Sequence, residues 1–104
     1  MLVTNTEEIA GEKIKQILGL VKGNTIKAKH IGNDIGASLK NLIGGEVKGY
    51  TEMISEAREE AIGRMIKEAE RLGADAVVNV RFSTSQVMQG AAEILAYGTA
   101  VKLN

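Results

Sequence analysis

The sequence predicts an α+β fold in which a small, mostly antiparallel sheet carries its helices on one face. This prediction depends on a long two-faced helical pattern at residues 50–72 and on two alternating strand patterns at residues 74–82 and 92–103. The predicted order is strand, helix, helix, strand, strand. Because a chain of 104 residues holds one core, a single domain over residues 1–104 is expected.

Two strands are predicted near the N-terminus. Residues 2–4 form a short strand. Residues 13–22 begin with alternation and become an apolar run, which is typical of a strand covered on both faces. Gly23 and Asn24 are expected to end this second strand.

A short helix is predicted after these strands. Asn33 or Asp34 can cap its N-terminus, and Gly44-Gly45 is expected to stop it. Its apolar positions fall at helical spacing and are Ile35, Leu39, Leu42 and Ile43.

The long helix presents an apolar stripe that identifies its core face. Arg58 falls inside this stripe, so it is expected to have a carboxylate partner, either Glu46, Glu68 or Glu93. An ion pair is the structural interpretation, and anion or ligand binding is the functional one. The stripe consists of Ile54, Ala57, Ala61, Met65, Ala69 and Leu72, widened by Met53, Ile62 and Ile66.

The two C-terminal strands are predicted to pair antiparallel, with the polar residues 83–90 as the loop between them. In the first strand, one face is expected to carry the core residues Ala76, Val78, Val80 and Phe82. The opposite face would carry Val77, Asn79 and Arg81.

Self-association is predicted because the helices of so short a chain can cover only one face of the sheet. A monomer would leave Val77, Ile94, Ala96 and Ala100 as an exposed apolar patch and would leave the sheet edges unpaired. Closing the sheets of several subunits into a barrel removes both problems. We therefore expect a homo-oligomer.

Composition excludes several classes of partner and site. Lysine plus arginine and aspartate plus glutamate each number 13, so no net charge draws the chain to nucleic acid or to a membrane. The aromatic residues Tyr50, Phe82 and Tyr97 are too few for a base-stacking surface. There is no cysteine, and neither a signal peptide nor a membrane-spanning run is recognised. A cytoplasmic protein is expected.

Metal and ligand sites are predicted only between subunits. Soft metals prefer thiolate or imidazole ligands, and His30 is the only histidine. Copies of His30, Asp34 or Glu46 around a symmetry axis are the weak metal candidates; caps and solvent-facing roles are the alternative. The ligand-binding candidates are Glu46 and Tyr50 in the loop at residues 44–50, where turn chemistry is the alternative, together with Arg58 and Arg81.

No catalytic residue is predicted. The serines lack a nucleophile motif and a single histidine offers little for nucleophilic catalysis. Acid–base catalysis by carboxylates stays open, and the sequence identifies no cofactor.

Four groups of motifs, spread over nearly the whole chain, carry a family resemblance. They are Gly45-Glu46 with Tyr50-Thr51, Ala57-Arg58 with Arg64-Met65, Gly73-Ala74-Asp75-Ala76-Val77 with Arg81, and Leu95-Ala96-Tyr97-Gly98-Thr99-Ala100-Val101. With these motifs the chain resembles the YbjQ family, also labelled a heavy-metal-binding domain. This resemblance implies a dodecin-like subunit that assembles into a symmetric ring, commonly a pentamer, in a bacterial or archaeal cytoplasm, with no assigned function.

Three functional hypotheses follow from these observations. The first is a homo-oligomeric binding module that holds a metal ion or a small molecule between subunits near Glu46, Tyr50 and Arg58. The alternative is a scaffold ring that docks a protein partner through its polar helix face. The third is an enzyme.

Overall fold

The computed structural model describes residues 1–28, 42–43 and 46–104, with side chains for residues 1–28 and 49–104. In these residues one helix, α1 (Lys48–Arg71), accompanies six strands. The strands are β1 (Leu2–Val3), β2 (Ile14–Ala28), β3 (Leu42–Ile43), β4 (Glu46–Val47), β5 (Ala76–Met88) and β6 (Ala91–Leu103).

The main sheet has four strands in the order β1-β5-β6-β2. β1 is parallel to β5, whereas β5 with β6 and β6 with β2 are antiparallel. β3 and β4 form a separate antiparallel ribbon. The predicted α+β class and the predicted antiparallel C-terminal pair are therefore confirmed.

Helix α1 covers one face of the sheet, mainly over β2 and β6. The predicted stripe is confirmed at its centre, because Ala57, Ala61, Met65 and Ala69 are buried at i,i+4 spacing. Gly23 of β2 lies directly beneath, and a Cβ there would collide with the backbone nitrogen of Met65 and the backbone oxygen of Ala61. Small residues on both sides thus let helix and strand backbones approach closely.

The prediction that Gly23 and Asn24 end the second strand is wrong. β2 continues to Ala28, because the glycine serves close packing under α1 and not a turn. Within one subunit this strand is covered on one face only, since Ile17 and Leu20 are each 68% exposed. Cover on its second face by another subunit stays a prediction.

The prediction of a loop at residues 83–90 is wrong as well. β5 runs to Met88, and only Gln89 and Gly90 separate it from β6. The polar residues Ser83 and Thr84 lie in register with Leu95 and Ile94, so pairing with β6 holds them in a strand despite their turn-like composition.

A β-bulge in β5 changes the predicted alternation of its side chains. Asn79 adopts a positive φ of 59°, and the register with β6 shifts between Val78 and Arg81. Val77 and Val80 therefore both pack in the core under α1. Phe82 pairs with the helix-side residue Ala96, yet it is 45% exposed because α1 does not extend over this part of β5.

The apolar patch was predicted on the wrong face. Val77, Ile94, Ala96 and Ala100 are all buried in the core under α1. The opposite face carries a second small cluster at one end of the sheet, which consists of Ala76, Val78 and Val101 with Ile9 and Leu103.

The predicted short helix is contradicted at its C-terminal end. Leu42 and Ile43 form β3 and pair with Val47 and Glu46 of β4. Backbone pairing between β3 and β4 replaces the expected helical turn. The rest of that helix, including its caps Asn33 and Asp34, lies outside the described residues.

The chain is elongated, with extents of 53 × 25 × 17 Å and a radius of gyration of 17.0 Å, against about 13 Å for a compact chain of about 100 residues. We call residues 22–28, 81–88 and 91–97 of β2, β5 and β6 the distal arm. We call the other end of the sheet, where β1 lies, the proximal end. No helix among the described residues has the length and hydrophobicity needed to cross a membrane.

Candidate functional site

The candidate site lies on the open face, which is the face of the main sheet opposite α1. The strand register places Arg81, Tyr97 and Lys22 side by side on three neighbouring strands. Val80 and Ala96, which directly precede Arg81 and Tyr97, belong to the core under α1. Because successive side chains of a strand point to opposite faces, Arg81 and Tyr97 project from the other face. Lys22 pairs with Tyr97 and so lies on that face too. We call them the cationic row.

The cationic row combines two positive charges with a phenol. Directly paired side chains in neighbouring strands lie about 5 Å apart at Cβ, so Arg81 and Lys22 flank Tyr97 within about 10 Å of each other. Neither cation forms a salt bridge within the part of the chain that the structure describes. The row therefore keeps its charge available to an anion.

Arg81 is held in place by backbone carbonyls. Its Nη1 donates to the oxygen of Asn5 at 2.9 Å and to the oxygen of Val80 at 3.0 Å. A guanidinium carries further N–H donors on its other nitrogens. Arg81 is thus positioned by the N-terminal segment while retaining donors for a ligand.

The row next to the cationic row toward the distal end is polar on its outer strands. Ser83 and Asn24 flank Leu95 in the following row. The Asn24 amide donates a hydrogen bond at 3.2 Å to Glu93, which is the nearest carboxylate of this face and lies further along the arm. An anion beside Tyr97 would therefore meet donors before it met a like charge.

A second charged cluster joins α1 to β2 on the other face. The carboxylate of Glu60 accepts from Lys27 at 2.8 Å and from the buried Thr25 hydroxyl at 3.0 Å, and Glu56 lies 3.6 Å from Lys27. The hydrogen bond from Lys27 is the main reason that the pKa of Glu60 is lowered, and the same hydrogen bond is the main reason that the pKa of Lys27 is raised. This cluster fixes the helix to the strand.

Asp75 serves the corner between α1 and β5. Its carboxylate accepts from the backbone N–H of Leu103 at 2.8 Å, and Lys102 lies 3.7 Å away. The backbone hydrogen bond is the main cause of the lowered pKa of Asp75. These contacts are complete within the chain and support a structural role.

A single subunit does not bring the predicted ligand-binding residues together. Tyr50 is half-buried in the first turn of α1, and Arg58 lies about two turns further on. Arg81 lies on the open face, across the sheet from the helix. Their union between subunits stays a prediction.

Within one subunit, Arg58 forms no ion pair with the described candidates, because Glu68 pairs with Arg71 and Glu93 accepts from Asn24. Arg58 falls at the helical angle of the stripe, yet it is exposed, so burial does not demand a partner inside the subunit. An ion pair across a subunit contact stays a prediction.

The metal candidates His30 and Asp34 lie outside the described residues, and of Glu46 only the backbone, in β4, is described. Residues 1–28 and 49–104 contain no group of three histidine or carboxylate residues that could hold a metal ion. With no cysteine and one histidine, the donor set of one chain does not fit a heavy metal.

Sequence reasoning missed Lys22 and Tyr97 as site residues. Lys22 was expected at the end of a strand, and Tyr97 was expected to be an ordinary strand residue. Only the register of β6 with both neighbours brings them beside Arg81. The alternation of side chains along one strand does not show which residues of neighbouring strands lie side by side.

The comparisons with known proteins agree with one another. A family model described as "Putative heavy-metal-binding" matches residues 1–104. A "UPF0145 protein" of Thermotoga petrophila is 62% identical over 103 residues, covering 99% of this chain and 97% of that protein. A "UPF0145 protein" of Archaeoglobus fulgidus is also 62% identical over 103 residues, covering 99% and 95%.

One solved structure has a similar fold. It is a protein of unknown function from Pediococcus pentosaceus, assigned to the DUF74 family, with a TM-score of 0.63. The similarity covers 100% of this chain and 98% of that chain at 18% sequence identity, so it concerns the fold alone.

Proposed function

The chain belongs to the YbjQ family of UPF0145 proteins, and from this premise we propose that it is a homo-oligomeric binding module whose open face holds a small anionic ligand. The observation that carries the proposal is the cationic row of Arg81, Tyr97 and Lys22 on the sheet face opposite α1. The ligand class is a compact anion such as a phosphate or a carboxylate.

The homo-oligomer is supported by apolar side chains on the open face. Ile17 and Leu20 are exposed on one side of the cationic row and Ile26 on the other, and exposed apolar side chains on a sheet face favour association. A ring is the assembly implied by the family resemblance, with the pentamer as its common form. In this proposal, neighbouring copies cover what α1 does not.

A ring also gives the cationic row a natural place. When a sheet closes around an axis, a helical layer fits more readily on the outside, where the circumference is larger, as in α/β barrels. The open face of each copy would then turn toward the axis. Copies of Lys22 and Arg81 around the axis would concentrate positive charge there, although each chain is neutral as a whole.

An anion suits the described residues better than a metal ion. Guanidinium and ammonium groups donate hydrogen bonds to phosphate or carboxylate oxygens, whereas a metal needs acceptor ligands. Tyr97 can donate through its hydroxyl and offers a ring face beside the cations. No step of the proposal depends on a bound metal.

Native mass spectrometry tests this function. Chelator-free protein is titrated with inorganic phosphate and with succinate, and the variants Lys22→Gln and Arg81→Gln are expected to raise the Kd by at least about tenfold each, as loss of a charge-assisted hydrogen bond requires. Lys67→Gln, on the exposed side of α1, is the matched control and should leave the Kd unchanged.

Other outcomes would contradict the anion site. A stoichiometric metal mass that resists dialysis would replace the anion with a metal at a shared axis. An intact oligomer that binds neither anion would favour the scaffold alternative, in which a protein partner docks on the polar face of α1.

A further inference from the structure

The outer edge of β5 is paired only near its beginning. β1 aligns Leu2 with Ala76 and Val3 with Val77, and the last backbone bond on this edge runs from Val80 to the oxygen of Thr4 at 3.1 Å. From residue 81 to residue 88 no described strand lies beside this edge, and every side chain is exposed. Half of its backbone hydrogen-bonding groups therefore face outward without a strand partner.

This edge lacks most of the features that keep edge strands from pairing with other chains. Natural edges are protected by lysine, proline, bulges or short length, and of these the edge has one register irregularity, between Gln86 and Met88. Residues 82–89 contain no charged residue, no proline and no glycine. An uncharged, extended edge of this length accepts a further strand.

The opposite edge of the same sheet is β2, which also has a strand on one side only among the described residues. β2 and β5 run in the same direction, because both are antiparallel to β6. Identical copies can thus add head to tail, with β2 of one copy beside β5 of the next. Two different surfaces of this kind generate a ring, whereas β5 against β5 would stop at a dimer.

Helix α1 has two chemically different flanks. Glu56 and Glu60 contact Lys27 of β2 and so mark the flank toward β2. At about 100° per residue, Arg58 lies about 160° around the helix from Glu60, on the flank toward β5. Ile62 shares that flank, and Phe82 lies exposed on the same side of the sheet.

The two flanks are complementary in charge. The side chain of Glu56 is 67% exposed, and its contact with Lys27 is a long one at 3.6 Å, so it has acceptor capacity left. Arg58 is exposed and forms no salt bridge with any described carboxylate. Continuing the sheet would set neighbouring helices about three strand spacings, or about 14 Å, apart. An arginine and a glutamate side chain can span that gap, and Phe82 would lie beneath them on the sheet.

We propose that the subunit contact is made by the distal arm: the outer edge of β5 at residues 81–88 receives β2 of a second copy, whose Glu56 pairs with Arg58. This inference rests on the oligomer of the proposed function and names the surfaces that build it. The second copy also covers Phe82.

A charge-swap series tests the contact. Arg58→Glu and Glu56→Arg are each expected to raise the midpoint concentration of assembly by at least about tenfold, because like charges meet across the contact. The double variant should return it to within about threefold of the original protein. Glu59→Arg makes the same charge change on the outward side of α1 and should leave assembly unchanged. Sedimentation over a concentration series gives the midpoints.

The double variant keeps the series interpretable. Glu56→Arg also disturbs the contact with Lys27 inside the subunit, but that disturbance persists in the double variant and so cannot explain a recovery. Circular dichroism checks that each chain is folded. Unchanged assembly in both single variants, or no recovery in the double variant, would overturn the proposed pair.

Hydrogen exchange at residue resolution tests the strand pairing. In the assembled protein, consecutive amides across residues 81–88 should be protected, whereas dissociated chains should protect alternate amides only. Alternating protection in the assembled protein would overturn the edge contact. Because neither experiment involves an anion, loss of ligand binding with an intact ring would contradict the open-face site and leave this contact standing. A chain that stays monomeric would overturn both.

Discussion

The two ends of the sheet differ in how completely the chain covers them. At the proximal end, β5 lies between β1 and β6, α1 covers one face, and Ile9 packs against the other. In the distal arm, β6 is the only described strand beside β5, and the side chains of β5 from residue 81 to residue 88 are exposed. One strand thus serves two purposes: its first half stabilises the subunit, and its second half offers a surface.

The boundary between these halves is the bulge at Asn79. Left-handed backbone costs a residue other than glycine roughly 1–2 kcal/mol, and asparagine tolerates it better than most. The bulge turns Val80 into the core under α1 and sends Arg81 to the open face. A local backbone feature therefore assigns the arm's side chains to their faces.

The largest effect is expected from Gly23→Ala, which would disrupt the close packing of the distal arm against α1. The new methyl group would collide with helix backbone at Ala61 and Met65, so we expect a loss of at least about 3 kcal/mol in the free energy of unfolding. Gly63→Ala is the control, because a Cβ there meets nothing within 4 Å and should add up to about 1 kcal/mol. Urea denaturation measures both. Equal stability of the two variants would contradict the close approach.

A smaller effect on stability is expected when the same substitution is compared at the two ends of the sheet. Val101→Ala removes methyl groups from a proximal side chain that is 0% exposed, and should cost about 2 kcal/mol. Val87→Ala acts on a distal side chain that is 51% exposed, and should cost less than about 0.5 kcal/mol. Thermal unfolding of dissociated chains measures both losses. Similar losses would show that the arm is covered within one subunit.

The smallest effect is a pH dependence at the junction of α1 with the arm. Hydrogen bonds from Lys27 and Thr25 lower the pKa of Glu60 from its ordinary 4.5. Its stabilising contribution is therefore complete above about pH 4.5 and is lost as pH falls through the lower folded pKa. Glu60→Gln should flatten the acid side of the stability profile, whereas Glu59→Gln should not. An unchanged profile in Glu60→Gln would assign acid unfolding to other carboxylates, such as Asp75.

The raised pKa of Lys27 has the opposite sign. Its contribution is present below its ordinary pKa of 10.5 and is lost as pH rises through the higher folded value. The same contact thus supports folding across the neutral range and weakens at both extremes. High salt should reduce both limbs, since these side chains are partly exposed.

The elements with strong periodicity could be predicted from sequence. The stripe centred on Ala57, Ala61 and Met65 identified α1, and the alternation in residues 92–103 identified β6. Both patterns reflect burial on one side of a regular element, which leaves a period in the sequence. The family resemblance was confirmed over residues 1–104.

The features that depend on contacts between elements could not be predicted. Gly23 looked like a strand end because its reason is a helix backbone far along the chain. Residues 83–88 looked like a loop because the run from Ser83 to Gln86 is polar and exposed, while the backbone pairs with β6. Arg81, Tyr97 and Lys22 became a site only through register, which one bulge at Asn79 decides.

The uncharged arm of β5 also has a consequence for synthesis. On the ribosome, residues 82–89 emerge before the 13 residues of β6 that pair with them. During that interval both edges of the segment are free and no like charge repels foreign strands. The nascent chain is therefore open to strand pairing with other polypeptides until β6 has been made.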